Sequence, residues 1–436
     1  MPSSLTLHLT NNTPPTPHPL PVYAYITGLS LAPGPNQHRR LILHSDTRTL
    51  YFPPSPPRIL QPLPIDPAIP LGPPGSTTPL TLPPIAGGRI WFSRGPVRLT
   101  FLLNPGGPGG GAALVEPSVL NPSDPNAQVD FGFCEFTLDA AQVFANISYV
   151  DFVPRLPVAL TLRTRGGAVQ HVSGMGTDGL ERVARGLREQ EGRDGWPWGR
   201  LVVEEKGAAA GTALRVLSPT HGGAVGARFD GYFEGLVERC WGVYCPGGGG
   251  EGAGVVEKAE GKRSGLRRLF GRGGAHGEGQ GGGGQMGKRL RINTQTGMGW
   301  VEGCVEGNDL VLGGERFCRP TTADILGCNS GPFTTGPSPL RNAIIPRLAA
   351  AFQRSCIVDV AEHPSPPQTF YRCDPTNHYC RIVHECNLDG KGYAFAYDDV
   401  QPDGGEDQSG KVNAGDPDVF IVAIGGDKAY VGNRMP

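Results

Sequence analysis

Short runs that alternate apolar and polar residues, bounded by proline, glycine and asparagine, constrain this chain more than any other feature. Leu5 to Leu9, Val22 to Thr27, Arg40 to His44, Arg89 to Ser93 and Val97 to Leu103 all follow this pattern. A period of two buries one face of each run and leaves the other polar, which is antiparallel β-structure with many turns. The middle of the chain changes character. Thr177-Asp178-Gly179 opens a helical run from Leu180 to Glu191, in which Leu180, Val183, Ala184 and Leu187 form one apolar stripe. Strand-like Leu160 to Arg163 precedes it and Leu201 to Glu204 follows, a β-α-β unit. Phe233 to Val243 and Arg341 to Phe352 are predicted as further helices. From Phe370 onward short strands are expected again, ending with Val419 to Ile424 and Tyr430 to Val431. Like ends around an unlike middle predict a mainly β fold carrying an α/β insertion. One β-domain is expected from residues 1–159 and 366–436 and a mixed α/β domain from 160–365, with a cleft between them.

Composition narrows the function. At 436 residues the chain exceeds a single ordinary core. Thirty-nine basic against 40 acidic residues leave a net charge of −1, without the basic excess that tracking phosphates requires, so nucleic acid is not an expected partner. No stretch approaches membrane-spanning length, and a monomer that does not engage a membrane is expected. Glycine and proline together reach about a quarter of the chain, near the level of low-complexity sequence. The excess is local: proline concentrates between Pro14 and Pro84, and glycine between Gly247 and Gly287 among scattered Lys and Arg. The glycine tract is read as a disordered insertion at 246–290.

Ten cysteines, mostly in the second half, predict disulfides and an oxidising compartment. Cys373, His378, Cys380, His384 and Cys386 could instead be zinc ligands, but their spacing matches no common zinc module, and neither metal nor cofactor is expected. The sequons at Asn11 and Asn146 favour an extracellular protein, although the first twenty residues lack the basic start and apolar run of a signal peptide.

In Phe131 to Asp139, strand periodicity sets Cys134, Phe136 and Leu138 on one face and Glu135, Thr137 and Asp139 on the other. A hairpin centred on residue 143 would set Asp151 directly across from Glu135, with Cβ atoms about 5 Å apart. Facing carboxylates repel, so one tends to keep its proton while the other stays ionised, which is the split that a glycosidase acid and base require. Spacing alone leaves open that both are solvated turn residues, as most of the 40 acidic side chains must be.

The strings VEPSVLNPSDPNAQVDFGFCEFTLD, NISYVDFV, RVLSP, ILGCNSGPF, PTNHYCRIVHE and GYAFAYDDV resemble, in that order, segments of glycoside hydrolase family 64 β-1,3-glucanases. The resemblance implies a thaumatin-like β-sandwich or barrel domain beside the α/β domain. It also implies endo-acting hydrolysis of β-1,3-glucans such as laminarin or curdlan, with inversion. Glu135 would be the proton donor and Asp151 the base. By position, Thr137, Asp139, Phe144 and Ser148 would line the cleft; Asp139 stands where the family pattern has an amide, and Phe144 where it has tryptophan. GYAFAYDDV also resembles the C-terminal part of thaumatin-like proteins, which implies Tyr393, Tyr397, Asp398 and Asp399 beside the cleft. Asp398 and Asp399 would then bond glucan hydroxyls or cap a turn. Arg89-Ile90-Trp91 and Asn377-His378 are weaker candidates, because a lone Trp or His there is more often core. The alternative function is a thaumatin-like glucan-binding or antifungal protein that holds the polymer without cutting it, a reading that Asp139 and Phe144 keep open.

Overall fold

Two β-sheets take up both ends of the chain in the computed structural model, which describes residues 4–246 and 288–426. The first runs in the order Val169–Val172, Val158–Thr164, Pro417–Ile424, Leu5–Asn11, Thr77–Leu82. Its N-terminal and C-terminal strands pair in parallel, from Thr6 opposite Val419 to Asn11 opposite Ile424. Leu5, Leu7 and Leu9 are buried and Thr6 is exposed, the period of two that the sequence carries. The second, larger sheet runs Lys411–Ala414, Val143–Asn146, Asp130–Leu138, Ile85–Arg94, Val22–Ser30, Arg40–Leu43, Leu50–Tyr51, with Ile69–Pro70 also on Val22–Ser30.

The middle of the chain contributes helices and two smaller sheets. Helix Gly179–Asp194 buries the predicted stripe Leu180, Val183, Ala184 and Leu187 and stops at Gly195, whose φ of 78° suits glycine. Helices Glu234–Val243 and Pro339–Gln353 follow the sequence reading closely. A three-stranded sheet joins Phe152–Pro154, Ala213–Leu217 and Val202–Glu204, and a five-stranded one centres on Trp300–Glu306.

Three expectations change. Val158–Thr164 pairs with Pro417–Ile424, so a boundary at 159/160 cuts through a strand of the terminal sheet. One buried core runs through both parts, from Leu7 and Ile90 to Val183, Phe233, Ile345 and Tyr379, and does not divide at that point. Residues 378–386, expected as strand, form helix His378–Cys386: the Asn377 side chain caps the Cys380 N–H, and His378, Tyr379, Ile382, Val383 and Cys386 bury one helical face. None of the ten cysteines is bonded to another. Cys134, Cys240, Cys328, Cys356, Cys380 and Cys386 pack as small apolar groups, and burial pushes each thiol up, that of Cys328 to about 12. The predicted strand Tyr430–Val431, and all but the ends of the insertion at 246–290, lie outside the described residues.

A buried electrostatic lock holds the C-terminal segment. Arg354 and Asp398, 3% and 1% exposed, are paired at 3.1 Å. Arg354 also donates to the carbonyls of Val400 (2.6 Å) and Asp398 (2.8 Å). His384 bonds Asp398 Oδ2 and the Gly390 carbonyl, each at 2.9 Å, so both ring nitrogens face acceptors. Burial by itself would depress the imidazole, but the Asp398 charge and hydrogen bond outweigh it and hold His384 above its ordinary value. Burial would likewise raise Asp398, and the two cations hold it below the usual carboxylate range. Replacing Asp398 by Asn leaves Arg354 as a buried cation without its carboxylate. The expected loss in urea unfolding is about 3–5 kcal/mol; a loss below about 1 kcal/mol would mean that the lock does not hold the segment.

Candidate active site

Strand pairing aligns Thr27, Arg89, Glu135, Asn146 and Lys411 in one row across the larger sheet. Directly opposed residues share a face, so the row runs along the side turned away from the main core. Cys134, Phe136 and Leu138 point the other way and are buried, as the alternation requires. Beside this row the same face becomes aromatic: Tyr25, Trp91 and Phe133, each two residues from it, and Phe131, four residues from it, form a second cluster with Phe101 and Phe152. The Arg89 guanidinium lies over Phe133 (4.8 Å) and Trp91 (5.4 Å). From that bed its Nε and Nη2 donate to Glu135 Oε1 at 3.2 and 3.1 Å, and its Nη1 to Glu116 Oε2 at 2.7 Å. The Glu135 side chain remains 36% exposed.

The hairpin register differs from the predicted one. Asp139 Oδ1 accepts from the N–H groups of Ala141 (2.7 Å) and Gln142 (2.9 Å), which closes the turn at 139–142 and opposes Glu135 to Asn146. The turn chemistry of Asp139 thus moves the hairpin centre from residue 143 toward the N-terminus, between residues 140 and 141. Asp151 arrives by another route. Phe152 pairs with Leu217, the next N–H, that of Ser218, donates to the Asp151 carbonyl (3.0 Å), and Ser218 caps the 3₁₀ turn Pro219–Val225. That turn carries His221 back over Asp151, where Nε2 donates to Oδ1 at 2.9 Å. The His221 hydrogen bond holds the Asp151 carboxyl below its ordinary range against the opposing effect of burial, and the Arg89 charge adds to it. Asp151 is 41% exposed. Among the described residues Glu135 Oε2 and Asp151 Oδ2 have no hydrogen-bond partner, so each presents one oxygen outward.

The structure gathers some of the remaining candidates and removes others. Thr137 pairs with Phe144, so both stand on the Glu135 face, one step along the strands. Ser148 is 8% exposed and bridges to Tyr393. Asp139 is a turn-former through Oδ1. Asp398 belongs to the buried lock and is out of reach of a ligand. Asp399 accepts from the Tyr393 hydroxyl (3.3 Å); burial first, and then the charges of Asp399, Asp398 and Glu135, push that phenol up. Asn146, buried between Glu135 and Lys411, leaves no room for a glycan.

Sequence reasoning missed Arg89, Glu116 and His221. Trp91 of Arg89-Ile90-Trp91 is core, as expected, and Ile90 is buried with it; the functional signal lies in Arg89, which precedes them on the polar row. Glu116 lies inside the first of the family-like strings, and His221 stands just past RVLSP, so a signal existed for both.

A family model described as Beta-1,3-glucanase, glycoside hydrolase family 64, matches residues 3–246 and 286–424. Glucan endo-1,3-beta-glucosidases of Cellulosimicrobium cellulans and Arthrobacter sp. (strain YCWD3) are each 26% identical over 324 residues. Those matches cover 73% of this chain and 49% of the relatives, so the chain spans about half the length of the curated relatives it matches. The crystal structure of a laminaripentaose-producing beta-1,3-glucanase in complex with laminaritetraose superposes with a TM-score of 0.74 at 25% identity, covering 98% of this chain and 99% of that one. A beta-1,3-glucanase domain from Clostridium beijerinckii has the same fold, with a TM-score of 0.65 at 20% identity over 97% and 98% of the two chains. The chain belongs to glycoside hydrolase family 64, the β-1,3-glucanases.

Proposed function

We propose that this protein is an endo-acting β-1,3-glucanase that cuts with inversion, Glu135 serving as acid and Asp151 as base. The observation that carries the reading is the pair of half-exposed carboxylates near Arg89, each with one oxygen fixed by the protein and one turned outward. In the proposed step Glu135 Oε2 gives its proton to the glycosidic oxygen as the bond to the anomeric carbon breaks. A water attacks that carbon from the opposite face, and its proton passes to Asp151 Oδ2. Positioned proton transfer of this kind is worth about 10² to 10⁴ in rate.

The environments support this division of roles. His221 and Arg89 favour the ionised form of Asp151, the state a base needs. Thr137, Phe144, Ser148 and Asp399 are the proposed contacts to sugar. Two relatives are named glucan endo-1,3-beta-glucosidases, and a structural neighbour binds laminaritetraose, which supports β-1,3-glucan as the substrate. We read the two sheets that take up both chain ends as the thaumatin-like unit, and the protein as acting outside the cell, where such polymers lie.

Glu135→Gln keeps the shape and removes the proton. The expected result is a loss of about 10² or more in kcat on laminarin with glucan binding retained; an active Glu135→Gln enzyme would remove the acid assignment. Asp151→Asn should be inactive but folded, and azide should restore bond cleavage by attacking from the face of the missing water, giving an α-glycosyl azide. A β-glycosyl azide would mean that azide had displaced a covalent glycosyl-enzyme, with Asp151 the acid/base of a retaining enzyme, and would end the proposal.

His221→Ala tests the electrostatics. The hydrogen bond from His221 holds Asp151 low, so its loss lets the base bind a proton at higher pH. The acidic limb of the kcat/KM profile should therefore move upward, with the alkaline limb unchanged. An unmoved acidic limb would show that Asp151 is not the group that titrates there.

A further inference from the structure

Glu116 belongs to no step of the proposed reaction, yet it is bound more tightly than either carboxylate of the pair. Trp91 Nε1 donates to Thr27 Oγ1 (3.1 Å). With that lone pair taken, Thr27 turns its own hydroxyl proton to Glu116 Oε1 (3.3 Å). Glu116 Oε2 accepts from Arg89 Nη1 at 2.7 Å, and the two remaining donors of Arg89 that face the site go to Glu135 Oε1. The chain of donors has a fixed direction, from the indole of the aromatic bed through Thr27 to Glu116, and from Arg89 to both carboxylates. Glu116, 22% exposed, is more shielded than Glu135 and accepts at both oxygens.

A cation that donates two N–H groups to an acid favours its anion and works against proton delivery. Arg89 does this to Glu135 unless another negative charge offsets it. The other charged or titratable groups around this row are Asp151 and His221 from the base segment and the 3₁₀ turn, Lys411 from the edge strand, and Tyr393 from the C-terminal segment. Glu116 is the only carboxylate besides Glu135 that Arg89 touches among the described residues.

We propose that Glu116 is a positioning residue that acts through Arg89: it fixes the guanidinium so that Glu135 Oε1 is always an acceptor, and it offsets the positive charge that Arg89 sets beside Glu135. This rests on the assignment of Glu135 as acid. It extends that assignment to a three-member unit, Glu116–Arg89–Glu135, in which the nearer carboxylate reacts and the farther one sets the charge.

The test is the pH dependence of kcat/KM on laminarin for Glu116→Gln, Glu116→Ala and Glu116→Asp, with melting temperatures alongside. Glu116→Gln removes the offsetting charge, so Arg89 acts on Glu135 alone and the acid loses its proton at lower pH. The alkaline limb should move down by about half to one pH unit, a modest shift because both side chains are partly solvated. Glu116→Ala should shift the limb the same way, and Glu116→Asp, which retains the charge, should return it toward the wild-type position. A limb that stays in place in Glu116→Gln and Glu116→Ala, with or without a uniform loss of rate or a lower melting temperature, overturns the proposal. If Glu135→Gln is inactive while that limb stays in place, only the role of Glu116 falls. An active Glu135→Gln enzyme removes both.

Discussion

Arg89 can occupy the open face of a sheet only because two aromatic rings lie beneath it and two carboxylates stand beside it, and the site is arranged around that requirement. A guanidinium has five donors in a rigid plane and cannot be neutralised by losing a proton. Phe133 and Trp91 fix the plane, and Glu116 and Glu135 receive its edge. The rings come from the same strands as the charged row, each two residues from it, Phe133 before Glu135 and Trp91 after Arg89, so the β-pleat sets the distance between bed and cation. A one-residue slip of Asp130–Leu138 would turn Glu135 into the core and expose Phe136, which ties the position of the proposed acid to the burial of Cys134, Phe136 and Leu138.

The proposed base depends on different physics. Asp151 follows an irregular segment, and its placement relies on bonds from distant parts of the chain. Tyr149 N–H donates to the Tyr393 carbonyl (2.7 Å), the Tyr379 hydroxyl to the Tyr149 carbonyl (2.6 Å), and the Ser218 N–H to the Asp151 carbonyl (3.0 Å). Tyr393 in turn belongs to the segment held by Arg354, Asp398 and His384. The buried lock therefore supports the site without touching it. This also accounts for two adjacent aspartates in GYAFAYDDV with unlike surroundings: Asp398 faces the interior cations, and Asp399 receives the Tyr393 hydroxyl.

What could be read from the sequence was what local periodicity encodes. The alternation in Phe131 to Asp139 placed Glu135 on the polar face, and the spacing of Leu180, Val183, Ala184 and Leu187 gave the helix. Register was not legible, because it is set by the carboxylate of Asp139 folding onto its own turn, and a hairpin drawn by symmetry ignored that bond. The helix at His378–Cys386 was lost among cysteines and histidines that invite other readings, although Asn377 offered a cap. Disulfides inferred from cysteine count did not form, since most of the thiols are packed singly into apolar surroundings. Arg89 and His221 reach the carboxylates across separations that no spacing rule reports; strand order and a 3₁₀ turn bring them there.

The account stands on two carboxylates acting from opposite faces of the sugar, and the anomeric configuration of the first product tests that directly. Proton NMR during the first minutes of hydrolysis of a β-1,3-gluco-oligosaccharide, before mutarotation equilibrates the anomers, should record the α-anomer at the newly formed reducing end. An initial β-anomer would contradict the acid–base pairing of Glu135 with Asp151.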